Sequence, residues 1–317
     1  MKKISFLLVN YNMKGLVEQV IQSITTRLSE SNISYEILIA DNSTQNEYAF
    51  NNEDCQSHKN SQFYFIENKG WVDALNFLFN KVNGEYVCIC HPDIEFNDHC
   101  IPKLLDFLEE NKEVGIVSPD MTYPNGQHVN IRLHFPTLST EYKRLLNIIS
   151  HILIKKKFMK DEILWDRFED VDVDTVMSVC LLARREIIDK IGQIPEEFFL
   201  YYANDYICLQ AKRNGYNNYY LKDATIIHYE RFSDDTLYSS EKDLDYKKTP
   251  APILDRMERD LFVFYKHLCN KPTYFLFQIF STLEYTVHGL ASIKNTKKFS
   301  NPILKKCLDT IKVVWKT

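Results

Sequence analysis

Apolar residues gather in brief, almost unbroken runs at Ile4 to Val9, Tyr35 to Ala40, Gln62 to Ile66 and Tyr86 to Cys90. Runs this short, closed by turn residues, predict strands buried on both faces. Between them the pattern changes period. Leu16, Val20, Ile24 and Leu28 recur at helical spacing and predict an amphipathic helix over 14–28, and a second helix is predicted over 71–81. Strand, helix, strand, loop, strand, helix, strand is the rhythm of βαβ units around a mostly parallel sheet. A helix over 101–111 and a strand over 114–118 continue it.

The pattern then lapses. Thr122 to Asp170 holds a Pro124-Asn125-Gly126 turn and the basic cluster Lys155, Lys156 and Lys157, and reads as an insertion beside the site. Order resumes with a strand over 171–182, helices over 184–191 and 204–214, and brief strands over 219–221 and 224–228. From Pro252 the chain turns helical, with segments expected at 254–268, 272–290 and 302–315.

Composition sharpens this picture in three places. With 317 residues, 45% hydrophobic and 26% charged, the chain has the make-up of a folded soluble protein. No apolar run approaches the roughly 20 residues of a membrane span. The opening MKKISFLLVNYN has too short an apolar run for a signal peptide and reads as the first strand of a cytoplasmic protein. A net charge of −5 gives no whole-molecule case for nucleic acid. Its distribution is uneven, however: from Ala291 onward seven lysines (294, 297, 298, 305, 306, 312 and 316) face the single acid Asp309. An aromatic helix carrying Tyr274, Phe275, Phe277, Phe280 and Tyr285, followed by a lysine-rich one, suits peripheral contact with a membrane headgroup region. Packing on the rest of the chain, or on a second copy in a homo-oligomer, is the open alternative. The eight cysteines include no CxxC pair, and Cys88 and Cys90 read as small buried hydrophobes of a reduced protein.

Candidate chemistry collects at the strand ends. Asn10-Tyr11-Asn12, Asp41-Asn42, Asn68-Lys69-Gly70 and His91-Pro92-Asp93 each close a predicted strand, and a parallel sheet brings consecutive strand ends to one crevice. Proline cannot donate to a sheet ladder, so Pro92 ends its strand and delivers Asp93 to that edge. Neither GxGxxG nor GxxxxGK[ST] occurs. A nucleotide held without a glycine-rich loop needs its diphosphate neutralised otherwise, and a divalent cation on a carboxylate supplies that charge.

These residues, in this order, resemble the family-two glycosyltransferases of GT-A fold, above all the rhamnosyltransferase-like members that build bacterial surface polysaccharides. The likeness is carried by Val9 to Asn12 (VNYN), Asp41-Asn42-Ser43, Asn68-Lys69-Gly70 with Asn76, and His91-Pro92-Asp93 at the metal-binding position. It continues through Ile194 to Tyr201, Asn204-Asp205, Gly215-Tyr216 and His228.

The resemblance implies an α/β GT-A nucleotide-diphospho-sugar transferase fold over residues 1–250, with a nucleotide-binding half (1–120), an acceptor-binding half (121–250) and a C-terminal helical segment over 251–317. It implies donor contacts from Asn10, Tyr11, Asp41, Asn68, Gly70 and Asn76. Asp93, His228 and His91 would hold Mn2+ or Mg2+, and Asp205 would be the catalytic base. The reaction implied is inverting transfer from a nucleotide-diphosphate sugar, dTDP-rhamnose or a UDP-sugar, to a glycan or lipid-linked acceptor at the cytoplasmic face of the membrane.

The chain departs from the family pattern at three positions. His91 replaces the usual Asn or Asp, Asn204 replaces the acid before the base, and Ser178 stands where relatives carry a glycine beside the donor sugar. His91 and Asn204 leave room for a rival, a binding module of the same fold without turnover. A nucleotidyltransferase would need a glycine-rich basic loop that Val9 to Leu16 does not provide.

Overall fold

The computed structural model describes residues 3–43, 49–58, 60–129, 134–154, 171–229, 251–296 and 302–316. The first half runs β1 (Ile4–Asn10), α1 (Lys14–Leu28), β2 (Tyr35–Asp41), α2 (Asn52–Ser57), β3 (Ser61–Phe65), α3 (Trp71–Phe79), β4 (Tyr86–Cys90), β5 (Ile94–Phe96), α4 (Cys100–Glu110) and β6 (Val114–Thr122). The second runs α5 (Leu138–Ile154), β7 (Val171–Val173), β8 (Cys180–Arg184), α6 (Arg185–Ile191), α7 (Ala203–Arg213), β9 (Asn217–His228), α8 (Ala251–Leu268), α9 (Lys271–Thr296) and α10 (Pro302–Lys316).

Two compact units emerge, one spanning Met1–Leu133, Trp165–Phe199 and Ala203–Asp243, the other His134–Leu164, Leu200–Tyr202 and Leu244–Thr317. The first is built on a sheet ordered β3-β2-β1-β4-β8-β6-β9-β5, with β7 also on β9. β3, β2, β1 and β4 are parallel neighbours, and β8 runs antiparallel to both β4 and β6. The strand order reverses around β1, since β2 lies on one side and β4 on the other. That reversal opens a crevice at the carboxyl ends of the strands.

Burial explains the central strands. Every residue of β1 and β4 is buried, as expected for strands covered on both faces. α1 has the expected bounds, and Val20, Ile24 and Leu28 of its expected face are buried together with Val17 and Ile21, while Leu16 is only half-buried. At the amino end of the sheet two polar residues sit in the core and satisfy one another. Ser5 Oγ donates to Glu36 Oε1 (2.6 Å) and accepts from the Gly84 N–H (2.8 Å), and Glu36 Oε1 also accepts from the Asn83 N–H (2.8 Å). Arg184, at the β8–α6 junction, donates to the carbonyls of Val114 (2.8 Å), Asn111 (3.1 Å) and Leu108. A cation belongs there, because the carboxyl end of α4 presents unsatisfied carbonyls.

Three expectations are corrected. The strand expected over 171–182 is two, β7 and β8, which join different neighbours: Val171 pairs with Tyr220, and Cys180 with Cys90. The two brief strands over 219–228 are one, β9, which runs through the exposed pair Lys222 and Asp223 opposite a register shift at Pro119/Asp120. Within the uninterpretable stretch 122–170, residues 138–154 form α5 of the second unit; the cluster Lys155 to Lys157 lies outside the described residues. That unit packs around aromatic residues. Tyr265 on α8 stacks on Phe277 of α9 with ring centroids 3.9 Å apart, and its hydroxyl donates to Glu141 Oε1 of α5 (2.9 Å).

Gly84 has no room for a side chain, because an added Cβ would lie 2.7 Å from the Ser5 nitrogen and 2.9 Å from the Tyr86 carbonyl oxygen. Both neighbours are backbone of central strands. Gly84→Ala is therefore expected to lower unfolding stability by about 1–3 kcal/mol, as overpacking does. Urea denaturation measures this, and an unchanged midpoint contradicts it.

Candidate active site

Asn10 and Asp41 end neighbouring parallel strands and are register partners. Their side chains first fix the loops they enter. Asp41 Oδ1 accepts from the Ser43 N–H (2.9 Å) and Oδ2 from the Phe50 N–H (2.8 Å), so the carboxylate closes the loop after β2. Asn10 accepts from the Met13 N–H (2.9 Å) and donates to Ser43 Oγ (3.1 Å), while Ser43 Oγ accepts from the Asn12 N–H (2.8 Å). The turn is thus pinned on both sides, with Asn12 in the left-handed region at φ 56°, and Tyr11 stands at its tip, 38% exposed. Buried Asn42 donates to Asn68 Oδ1 (3.3 Å), and its own Oδ1 has no hydrogen-bond partner. An unsatisfied buried acceptor at a strand end is a place for a ligand donor.

Gly70 caps α3 at φ 109°, and a Cβ there would lie 2.9 Å from the ring of Phe199. Only glycine lets that ring close on the start of α3. Asn76, expected to contact the donor, is buried on α3. Its carboxamide donates to the Ile194 carbonyl and accepts from the Ile194 N–H, both at 2.8 Å, so it clamps the segment before Phe199 onto α3.

The metal candidates come from three strands. His91 follows β4, and its N–H donates to the Val179 carbonyl (2.9 Å). Asp93 precedes β5, whose first residue Ile94 lies opposite His228 at the end of β9. That antiparallel register, closed by the Tyr229 N–H on the Asp93 carbonyl (2.9 Å), sets His228 Nε2 3.3 Å from Asp93 Oδ2. Both residues are 7% exposed, and His228 Nδ1 is buried with no hydrogen-bond partner among the described residues. The surrounding protein pushes the His91 imidazole down to about 4; the Asp93 carboxylate works against that shift and His228 adds to it. A neutral imidazole is the form that ligates metal. His91 Nε2 also lies 3.3 Å from Ser178 Oγ, and the edge of Trp71, the first residue of α3, meets the His91 ring at 6.0 Å.

Asp93 Oδ2 and His228 Nε2, 3.3 Å apart, fit a divalent cation of borderline character between them, with other positions left to oxygen ligands. Among the described residues, the trio of metal-ligating atoms within 4.8 Å of one another is elsewhere, at Cys88, Cys90 and Cys180. Burial pushes the first two thiols up, and for Cys180 the neighbouring Cys88 thiol does so ahead of burial. All three therefore pack as neutral core groups.

Asp205 is 1% exposed in the first turn of α7. Before it, Asn204 donates to the Val176 carbonyl (2.6 Å) and so holds the loop that carries Ser178. An ionised acid at 204 has no hydrogen to give that carbonyl. Sequence reasoning found the strand-end set and missed Trp71, the orphaned Asn42 oxygen and the loop-holding work of Asn204. Only the tryptophan directly after Gly70 offered a signal.

A mixed sheet flanked by helices, with polar strand ends lining its carboxyl edge, is the GT-A architecture of nucleotide-sugar-dependent transferases. The chain belongs to glycosyl transferase family 2, whose sequence pattern matches residues 5–192. It is 24% identical over 221 residues to the low-salt glycan biosynthesis hexosyltransferase Agl10 of Haloferax volcanii, covering 68% of this chain and 63% of that protein. It is 25% identical over 109 residues to an uncharacterized glycosyltransferase of Rickettsia bellii, covering 34% of this chain and 15% of that one. The chain thus spans less than two thirds of either relative.

Two solved structures share the fold. One is the mannosyltransferase PcManGT from Pyrobaculum calidifontis in complex with GDP-Man and Mn2+ (TM-score 0.56, 13% identity, 99% of this chain and 81% of that one). The other is S. aureus TarS 1-349 in complex with UDP-GlcNAc (TM-score 0.56, 14% identity, 98% and 81%).

The two-way clamp at Asn76 separates a structural role from donor binding. Asn76→Ala leaves two buried backbone groups of Ile194 unpaired and is expected to cost about 2–4 kcal/mol, with nucleoside-diphosphate affinity in the folded protein unchanged. Calorimetric titration of the folded variant checks this. A large loss of affinity at intact stability would place Asn76 against the donor.

Proposed function

We propose that this protein is an inverting glycosyltransferase that moves a sugar from a nucleotide-diphosphate donor to a glycan or lipid-linked acceptor in cell-surface polysaccharide biosynthesis. The observation that carries the reading is the buried Asp93–His228 pair at the carboxyl edge of the sheet, with Oδ2 and Nε2 3.3 Å apart. Donor complexes of the two fold relatives support it, one of them with Mn2+. Their bases differ, guanine in one and uracil in the other, so this chain's donor, dTDP-rhamnose or a UDP-sugar, rests on the rhamnosyltransferase-like motifs.

In this reading residues 1–120 bind the nucleotide and the following segment receives the acceptor. Tyr11 and Asp41 meet base and ribose, with Asn10, Asn68 and Gly70 shaping the crevice. Asp93 and His228 hold Mn2+ or Mg2+, and neutral His91 stands beside them as a third candidate ligand. When bound, the cation offsets the charge of the departing diphosphate. The Asp205 carboxylate takes the acceptor hydroxyl's proton as that oxygen forms its bond to the anomeric carbon. The bond from that carbon to the diphosphate oxygen breaks on the opposite face, and the electron pair leaves with the nucleoside diphosphate.

The protein works in the cytoplasm at the inner face of the membrane, held there by its C-terminal helices. Among the described residues no helix is long and apolar enough to cross a membrane.

A binding module without turnover is the second reading, favoured by Asn204, which stands in place of an acid and is committed to Val176. A hydrolysis and transfer assay with candidate nucleotide sugars and Mn2+ separates the two. Asp205→Asn should lower turnover by about 10²–10⁴-fold with little change in nucleotide affinity. Asp93→Ala should abolish the metal dependence. Tight nucleotide binding with no turnover, indifferent to Asp205→Asn, would establish the binding module instead.

A further inference from the structure

The solvent face of α9 is far more apolar than a surface helix needs. Phe275, Leu276, Ile279, Leu283, Leu290 and Ile293 fall within an arc of about 120° at 100° per residue and extend for about 27 Å. Leu276, Leu283 and Leu290 are 42%, 47% and 61% exposed, and Phe275 is 51% exposed. Between Phe275 and Ile293 Thr286 is the one polar residue on this arc, and Lys294 follows at its carboxyl end. Glu284 is buried on the opposite side of the helix. A continuous face of this kind marks a docking surface.

α10 runs beside it and supplies what the face lacks. Gln278 donates to the Val314 carbonyl (2.9 Å), and Trp315 Nε1 donates to Thr282 Oγ1 (2.9 Å). Trp315 therefore meets the ring of Phe275 edge-on at 5.9 Å and is itself 48% exposed. Leu308, one heptad earlier, is 51% exposed, and Lys305, Lys312 and Lys316 are exposed on the same helix. The single acid, Asp309, is paired with Lys312 at 2.8 Å.

We propose that this surface docks on an anionic lipid bilayer, with the α9 face at the acyl boundary, Trp315 at headgroup depth and the α10 lysines on lipid phosphates. This deepens the membrane contact named above by giving it a face and a lipid charge, and it does not depend on the catalytic residues. Charge decides between lipid and a second copy of the chain. A two-fold dimer sets the same patch against itself and gathers the lysines of both copies, whereas anionic headgroups neutralise them. An amphipathic helix with an interfacial tryptophan lies in the headgroup plane instead of spanning the bilayer.

The test is flotation of the full chain with vesicles of phosphatidylcholine alone or of phosphatidylcholine with phosphatidylglycerol. The variants are Leu276→Gln/Leu283→Gln/Leu290→Gln and Lys305→Gln/Lys312→Gln/Lys316→Gln. Nucleotide-sugar hydrolysis in vesicle-free solution reads the catalytic proposal separately. The parent should float with the anionic vesicles, and each triple variant should lose about tenfold or more of its partitioning while keeping its melting temperature. Brominated lipids should quench tryptophan emission in the parent and not in Trp315→Phe. The proposal is overturned if the parent ignores anionic vesicles or if the leucine variant floats as the parent does. It is equally overturned if the parent is a dimer that the leucine variant converts to a lipid-indifferent monomer.

Discussion

One antiparallel pairing holds the site together. Ile94 lies opposite His228, and this register alone brings a carboxylate from the early part of the chain to within 3.3 Å of an imidazole from the end of the sheet. Asp93 itself lies just before β5, where the Tyr229 N–H on its carbonyl (2.9 Å) fixes the backbone from which its side chain reaches His228. β9 is long and is pinned at several places. It runs parallel to β6 for most of its length and takes β7 on its other edge at Val171 to Val173. The metal candidates thus inherit their positions from the fold itself.

The nucleotide side of the crevice is organised by a different device. Asn10 and Asp41 are register partners at the ends of β1 and β2, yet Asn10 accepts from the Met13 N–H and Asp41 from the N–H groups of Ser43 and Phe50, backbone of the loops that follow. Both act on the loops beside them, with Tyr11 exposed at the tip of its turn and the Asn42 oxygen buried behind it. Asn76 and Asn204 work in the same way at a further remove, by holding Ile194 and Val176. Family motifs in this chain therefore mix residues suited to touching the donor with residues that shape the cavity. Sequence alone does not sort them, because an asparagine suits both tasks.

The parallel half of the sheet was legible because its strands are short apolar runs closed by polar residues, a pattern that depends on burial alone. α1 is legible down to its end residues, and Val20, Ile24 and Leu28 of its expected face are buried with Leu16 half-buried at its margin. The second half was harder for identifiable reasons. Val171 to Leu182 is apolar enough for one strand, and what divides it is that β7 and β8 pair with different partners, which is long-range information. Lys222 and Asp223 look like a turn but sit within a continuous strand beside a bulge. α5 was obscured because its apolar face meets helices more than a hundred residues away, among them the one carrying Tyr265. The candidate site was legible as a set of strand ends, and its division into pairs and clamps needed coordinates.

On the proposed function, Asp93 Oδ2 and His228 Nε2, 3.3 Å apart, hold a divalent cation together with the donor diphosphate. Mn2+ affinity measured by electron paramagnetic resonance, with and without a nucleoside diphosphate, tests this most directly. Weak binding of Mn2+ alone, tightened about tenfold or more by the nucleotide, is expected, since shared ligands must couple the two affinities. Equal Mn2+ affinity in the presence and absence of nucleotide would contradict it.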